Sequence, residues 1–302
     1  MTEAVAPGRT GLRLAPLRRT HTDWLGRLLL TAPAHHAYLL TLLHTNGSAD
    51  VQTAAGTLYG VFSGRTPVAA YWVGGSVIAA GATPETNAEM AGLLNARGRW
   101  STSLIGEAGW VLDLSSRLRW GPPRGVRPDQ PLLVCEGQPR VPAHARLRTA
   151  RAADLEAVFA AAVEMFTEEV GFSPVEQGSA GYMARVRSLV ENRSTLVVTA
   201  REGPDGGPIR DWPARGRSEQ VVFKADLGVR SPYAVQVQGV WTHPDFRGRG
   251  IASEGMVAVS AHALHHVAPV VSLYANDFNA PALRVYEKAG YVQRGTFATV
   301  MY

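Results

Sequence analysis

Lysine is almost missing from this chain. Of its 30 basic residues only Lys224 and Lys288 are lysines, and the rest are arginines. With the abundance of alanine and glycine, that imbalance looks like a high-GC bacterial coding bias and says little about partners. Cysteine is scarcer still. Cys135 is the only one, so no internal disulfide can form, which is consistent with a reducing cytoplasm. It sits in the apolar run PLLVCEG and reads as a packed thiol. No apolar run approaches the roughly 18 residues that cross a bilayer, so no membrane partner is expected. The opening MTEAVAPGRTGLRLAPLRR lacks an apolar core followed by a small-residue cleavage site, so it is not expected to act as a secretory signal and reads as a frayed terminus. A net charge of +5 is spread without any basic block interleaved with aromatics, and no nucleic-acid partner is expected. Metal-ligand spacing is absent too. His35 and His36 have no acidic or thiol partner at a suitable distance in sequence, and His262, His265 and His266 read as cations near a helix C-terminus.

What is present is enough apolar sequence for a sizeable core. Hydrophobic residues make up 46% of the chain and charged residues 18%, with seven tryptophans. A length of 302 residues suggests two domains. Two proline clusters, Gly121-Pro122-Pro123 and Gln138-Pro139-Arg140-Val141-Pro142, bracket PLLVCEG. The second is the better linker, which sets the expected domains at 1–140 and 141–302. In the first, residues 22–46 read as one helical stretch, 57–64 and 67–80 as a hairpin, 84–98 as a helix, and 102–105 and 131–136 as short strands. The glycines of YWVGGSVIAAG suit a buried strand with a bulge. In the second, a strand at 145–150, helices at 152–169 and 179–192, and a strand at 194–200 precede a long Gly/Pro-rich loop at 201–219.

The chain is organised around VQVQGVWTHPDFRGRGIASEGMVAV, residues 235–259. β-Formers Val235, Val237, Val240, Trp241 and Thr242 predict a strand, which His243-Pro244-Asp245 ends. Met256, Val259, Ala263 and Val267 recur at helical spacing. Between them lies Arg247-Gly248-Arg249-Gly250-Ile251-Ala252. Amides at the start of a helix are unpaired and carry partial positive charge. Glycines let a ligand approach them, and arginines add forked donors. The arrangement favours a pyrophosphate, although a solvated basic turn would have the same residues. It lacks the third glycine of a dinucleotide fingerprint and the Gly-Lys-Ser/Thr of a phosphate loop.

The pattern R-x-x-G-x-A, from Arg247 to Ala252, resembles the acetyl-CoA signature of the GNAT superfamily of acyltransferases. A second stretch, VVSLYANDFNAPALRVYEKAGY at 270–291, reads as strand, turn and helix, with Asn279 and Tyr286 on one face about two turns apart. Taken separately, Asn279 suits a helix cap and Tyr286 a core aromatic. The whole chain resembles an actinobacterial-type two-domain family in which a domain of unknown function precedes a GNAT domain. MFTEEVGFSP, VFKADLG, VQGVWTHPDFRGRG, VSLYANDFNAPA and GTFATVMY carry that likeness. The implied fold is mixed α+β, with two GNAT-like domains, each a mostly antiparallel sheet flanked by helices. The first is degenerate, since it contains no R-x-x-G-x-G/A.

The resemblance also implies roles. The activity is transfer of an acetyl group from acetyl-CoA, the co-substrate, to an amine of a small molecule or peptide, with no metal. Val240, Trp241 and Thr242 would bond the pantetheine and thioester through their backbones. The amides of Arg247, Gly248, Arg249, Gly250, Ile251, Ala252 and Ser253 would hold the pyrophosphate. Asn279 would touch the pantetheine arm, and Tyr286 would give a proton to the leaving thiolate. The strand glutamate that serves many relatives as base is missing, because Gln236 and Tyr274 stand at the matching places. Glu168 and Glu169, at the end of a helix, are the replacements, and Asp226 is a further one. That gap leaves a non-catalytic acyl-CoA-binding regulator as the alternative. A tandem aminoacyltransferase using charged tRNA is a third reading, which the loop motif disfavours.

Overall fold

The computed structural model describes residues 11–171, 173–176, 178–207, 209 and 219–302. Residues 1–10, at the expected frayed start, and most of the expected loop after residue 207 lie outside the described residues. The chain divides by packing into two compact units, and neither is continuous in sequence. The first holds the chain as far as Leu133, together with Tyr274–Asn279 and Gln293–Tyr302. The second holds Val134–Leu273 and Ala280–Val292.

The first unit begins with β1 (Leu12–Pro16), α1 (Thr22–Leu30) and α2 (Ala37–Asn46). The stretch 22–46, expected as one helix, is broken around Pro33. Thr31 Oγ1 donates to the Leu28 carbonyl at 2.7 Å and His36 Nδ1 lies 3.0 Å from the Leu29 carbonyl, so side chains hold the carbonyls at the break. Then come β2 (Gln52–Thr53), β3 (Gly56–Ser63), β4 (Thr66–Gly74), β5 (Ser76–Ala80), α3 (Pro84–Arg97), β6 (Ser103–Glu107), α4 (Ala108–Arg117) and β7 (Gly125–Cys135). The glycines of YWVGGSVIAAG make a tight hairpin turn between β4 and β5, with Val73 opposite Val77, and not a bulge in one strand. Helix α4 was not expected. Its buried Trp110, Val111 and Leu114 do fall at helical spacing, in a segment short enough to pass for a loop.

Strands β1, β3, β4 and β5 form an antiparallel run, β5 pairs in parallel with β6, and β6 pairs antiparallel with the end of the chain. The core holds Leu14, Val61, Tyr71, Met90, Leu104 and Leu114 with Ala298 and Val300. Each such burial is worth about 1.5–3 kcal/mol for a large side chain.

The second unit repeats the order. It has β8 (Arg148–Thr149), α5 (Leu155–Val170), α6 (Ala180–Glu191), β9 (Thr195–Ala200), β10 (Gln220–Arg230), β11 (Val235–Thr242), α7 (Ile251–His266), β12 (Val271–Tyr274) and α8 (Ala280–Lys288), and the chain then closes with β13 (Tyr291–Met301), of which only the first two residues belong to this unit. Strands β8 to β11 are antiparallel neighbours and β11 pairs in parallel with β12. Val158, Val186, Val197, Val221 and Trp241 pack its core on the α5 side. Helix α7 buries Met256, Val259 and Ala263. In both units, then, two helices follow the first strand, an antiparallel run follows them, and a helix crosses over to a parallel strand. The closing strand β13 breaks the repeat, because Gln293–Tyr302 belong to the first unit. The expected α+β class, with two similar halves of mostly antiparallel sheet and flanking helices, is the architecture seen. No helix among the described residues is long and apolar enough to cross a membrane.

Candidate functional site

Strand β11 has full company on one side only. Its pairing with β10 runs from Val235 to Thr242, whereas its pairing with β12 covers only Val235 opposite Val271 and Gln236 opposite Ser272. Beyond Gln236 the two parallel strands part. The β10 register also slips between Lys224 and Asp226, opposite Gly239 and Val240, which marks a bulge. Gly239 has φ +57°, and a Cβ there would stand 2.6 Å from Asp226 Oδ2. Only glycine suits that place. Val240 and Thr242 are half-buried, while the Trp241 side chain is buried in the core.

After β11, a turn at Pro244–Phe246 leads to Arg247 and the start of α7. The N-cap of α7 is Gly250, with φ +87° and no side-chain cap. Among the described residues, the main-chain N–H groups of Gly248, Arg249, Gly250, Ile251, Ala252 and Ser253 donate to no protein atom. Unpaired amides at a helix start carry partial positive charge and suit an anion. A Cβ at Gly248 would meet nothing within 4 Å, so the approach to these amides is open.

Arg247 is not available as a free donor. Its Nε donates to the Thr242 carbonyl at 2.9 Å, and one terminal nitrogen donates to both carboxylate oxygens of Glu168 at 2.8 Å. The pair ties the C-terminal turn of α5 to the loop before α7. Both side chains are about half exposed, so it fixes geometry more than it adds stability. Arg249 reaches Asp205 at 3.5 Å.

On α8, Tyr286 is buried, at 7% exposure, with its ring 5.9 Å from that of Tyr291. Its hydroxyl has no hydrogen-bond partner among the described residues. The hydroxyl is not among the fully enclosed atoms without a partner, so it stands open to solvent or to a ligand. Burial pushes its pKa well up, and the charge of Glu169 adds to the shift. Glu169 is therefore within electrostatic reach of Tyr286, and it acts likewise on Tyr182. Asn279 falls in the first unit's share of the chain, directly before α8, where its N–H donates to the Asn276 carbonyl at 3.0 Å.

Beneath the bulge lies a feature the sequence did not announce. Lys224, 1% exposed, donates to Asp226 Oδ2 at 2.6 Å and to the Gly239 carbonyl at 2.9 Å, and Thr195 Oγ1 donates to Asp226 Oδ1 at 2.7 Å. The one signal that could have found it was lysine's rarity, which by itself reads as coding bias. Elsewhere, a cleft of about 370 Å³ lined by Arg193, Arg230, His262 and His266 lies towards the other end of α7 and holds none of the residues above. Among the described residues no group of three or more His, Cys, Asp or Glu is placed to hold a metal ion.

Comparison with known proteins identifies the domains and the fold. Residues 144–292 match the family model described as Acetyltransferase (GNAT) domain, and residues 56–158 match a domain of unknown function, DUF4081. No curated protein sequence matches the chain. Several solved structures match over nearly the full length at low identity and show the fold alone. A GCN5-related N-acetyltransferase from Sphaerobacter thermophilus is 15% identical, with 97% of this chain and 96% of that one covered and a TM-score of 0.57. A tandem GNAT protein from the clavulanic acid biosynthesis pathway is 17% identical over 96% of this chain and 98% of that one, with a TM-score of 0.53. A Drosophila protein is 14% identical over 96% and 98%, with a TM-score of 0.61. The second half of the chain is thus a domain of the acetyltransferase class, and the repeated fold is tandem in character. The chain thus carries a GNAT acetyltransferase domain over residues 144–292, preceded by a domain of unknown function over residues 56–158.

Proposed function

We propose that this protein is an N-acetyltransferase that moves the acetyl group of acetyl-CoA to an amine by direct attack on the thioester. The observation that carries the reading is the uncapped start of α7, in the same unit as a Tyr286 hydroxyl that has no partner among the described residues. The donor set fits the co-substrate. A diphosphate calls for several N–H groups at a helix N-terminus, which Gly248 to Ser253 offer. An extended amide chain calls for an unpaired strand edge, which β11 offers from Val237 onward. Bound acetyl-CoA supplies the activated acyl carbon.

The chain's own residues supply the rest. Arg247, held by Glu168, fixes the loop, and Arg249 adds positive charge beside the diphosphate. Main-chain groups of Val240, Trp241 and Thr242 align the pantetheine and stabilise the negative charge that develops on the thioester oxygen. Asn279 takes the pantetheine amide. As the amine nitrogen bonds to the acyl carbon and the C–S bond breaks, Tyr286 gives its proton to the sulfur. Its raised pKa keeps that proton in place at any ordinary pH, and the same burial disfavours a bare thiolate, whose ordinary pKa is about 8.5. Glu169, whose charge acts on Tyr286, is the acid we assign to take the proton from the ammonium. We take residues 141–302 as the sequence of the catalytic domain, 1–140 as its companion, and the cytoplasm, on the strength of the single cysteine, as its compartment.

The test is release of free thiol from acetyl-CoA against a panel of amines, with Tyr286→Phe as control. Turnover that the substitution abolishes supports the reading. The missing strand glutamate favours one rival, a regulator that binds acyl-CoA without turning it over. CoA binding with no thiol release on any amine would establish that rival.

A further inference from the structure

A buried lysine is an expensive thing to keep. Removing an ammonium and a carboxylate from water costs several kcal/mol each, and replacing such a pair by apolar residues is often neutral or stabilising. Lys224 and Asp226 are nonetheless buried side by side in β10, at 1% and 7% exposure. The choice of lysine is itself informative, because 28 of the 30 basic residues are arginine. The space explains it. A Cβ on Gly239 would come 2.6 Å from Asp226 Oδ2, 3.0 Å from Lys224 Nζ and 3.4 Å from Met165 Sδ, so the β11 backbone lies directly on the pair. A compact ammonium fits under a glycine, and a planar guanidinium does not.

What the pair holds is one peptide group. Lys224 Nζ donates to the Gly239 carbonyl at 2.9 Å, at the bulge and with Gly239 in the left-handed region. In a trans peptide the carbonyl and the following N–H point in opposite directions. With the Gly239 carbonyl drawn down onto Lys224, the Val240 N–H points away from the pair. Asp226 completes the device by fixing Lys224, and Thr195 fixes Asp226 in turn.

We propose that Lys224 and Asp226 are positioning residues that clamp the Gly239–Val240 peptide and thereby aim the Val240 N–H at the thioester oxygen. The proposal rests on the acetyl-CoA reading above and adds to it how the donor is oriented. It assigns Lys224 no proton transfer and no contact with substrate.

Calorimetry of the full chain with acetyl-CoA and with S-ethyl-CoA tests it, since the second ligand lacks only the carbonyl oxygen. The wild type should favour acetyl-CoA by about five- to tenfold, the worth of one hydrogen bond in a dry site. Lys224→Met combined with Asp226→Leu removes the clamp and both charges together. It should bring the two affinities within about twofold of each other while S-ethyl-CoA binds within about threefold of wild type. Asp226→Asn, which keeps shape and the Thr195 contact, should lower the ratio part of the way and serves if the double variant does not fold. A merely structural pair would weaken both ligands together or neither. A wild-type preference that both variants retain overturns the clamp and leaves the acetyl-CoA reading intact. Equal wild-type affinities also overturn the clamp. A wild type that binds neither ligand overturns the acetyl-CoA reading and the clamp with it.

Discussion

The first unit puts α3 where the second puts α7, each leading from an antiparallel run to a parallel strand, and the two helices begin in opposite ways. Helix α3 starts on Thr83, whose hydroxyl accepts from the Thr86 N–H at 3.3 Å while the Thr86 hydroxyl accepts from the Thr83 N–H at 2.8 Å, with Pro84 removing a further donor. Helix α7 starts on Gly250 with no cap at all. The buried tyrosines contrast in the same sense. Tyr71, fully buried, lies 2.8 Å from Thr86 Oγ1 and donates to Asn87 Oδ1 at 2.8 Å, and Asn87 in turn donates to Asp113 at 2.7 Å. Tyr286 has no such partner among the described residues. At these two places the first unit pairs its polar groups internally, while the start of α7 and the Tyr286 hydroxyl have no partner among the described residues. Unsatisfied groups cost stability, so they persist where function needs them.

The sharpest way to break this contrast is to remove each tyrosine's hydroxyl. Tyr286→Phe should lower turnover by about 10²- to 10⁴-fold with little change in stability, because no protein atom loses a partner. Tyr71→Phe should leave turnover alone and cost about 1–3 kcal/mol in urea unfolding, because Thr86 and Asn87 are stranded. Next in size are the helix starts. Gly250→Trp places a side chain over the α7 amides and forces a left-handed backbone, so CoA affinity should fall about 10- to 100-fold by calorimetry. Thr83→Ala should cost about 1 kcal/mol of stability and leave CoA affinity unchanged.

A smaller effect follows from the phenols' protons. Burial raises the pKa of Tyr71, Tyr286 and Tyr291 above the ordinary value of about 10. The folded chain therefore holds these protons more tightly than the unfolded one. Their contribution is complete below about pH 10 and is lost as pH rises further, by up to about 1.4 kcal/mol per pH unit for each phenol. Urea midpoints at pH 9 and 11 should show that loss, and it should lessen in Tyr291→Phe. The smallest effect is at the surface. Glu168→Gln breaks the pair with Arg247 and should cost at most about 1 kcal/mol, fading in high salt, with a few-fold loss of CoA affinity.

How much of this could be read in the sequence depended on how local the cause was. The strand, the loop and helix α7 announced themselves through neighbouring residues, from Val235 to Val259, and the order of strands and helices followed from periodicity apart from α4 and the break between α1 and α2. What long-range packing decides was not legible. Nothing in Gln293–Tyr302 says that this strand joins the first unit, because a strand's pattern does not name its partner. The bond from Glu168 to Arg247 spans 79 positions and turned an expected acid into an anchor. The break at Pro33 and the hairpin at Gly74 were visible as residues and misread because each had a second plausible structure. Lys224 stood out by rarity, but its burial under Gly239 depends on a bulge in another strand.

The central claim is that the start of α7, and not that of α3, grips an anionic co-substrate. Hydrogen exchange of the full chain with and without CoA tests it most directly. The account predicts that CoA protects the amides of Gly248 to Ser253 and leaves those of Thr86 and Asn87 unchanged. Unaltered exchange at Gly248 to Ser253 under saturating CoA, or protection at α3 in its place, would contradict it.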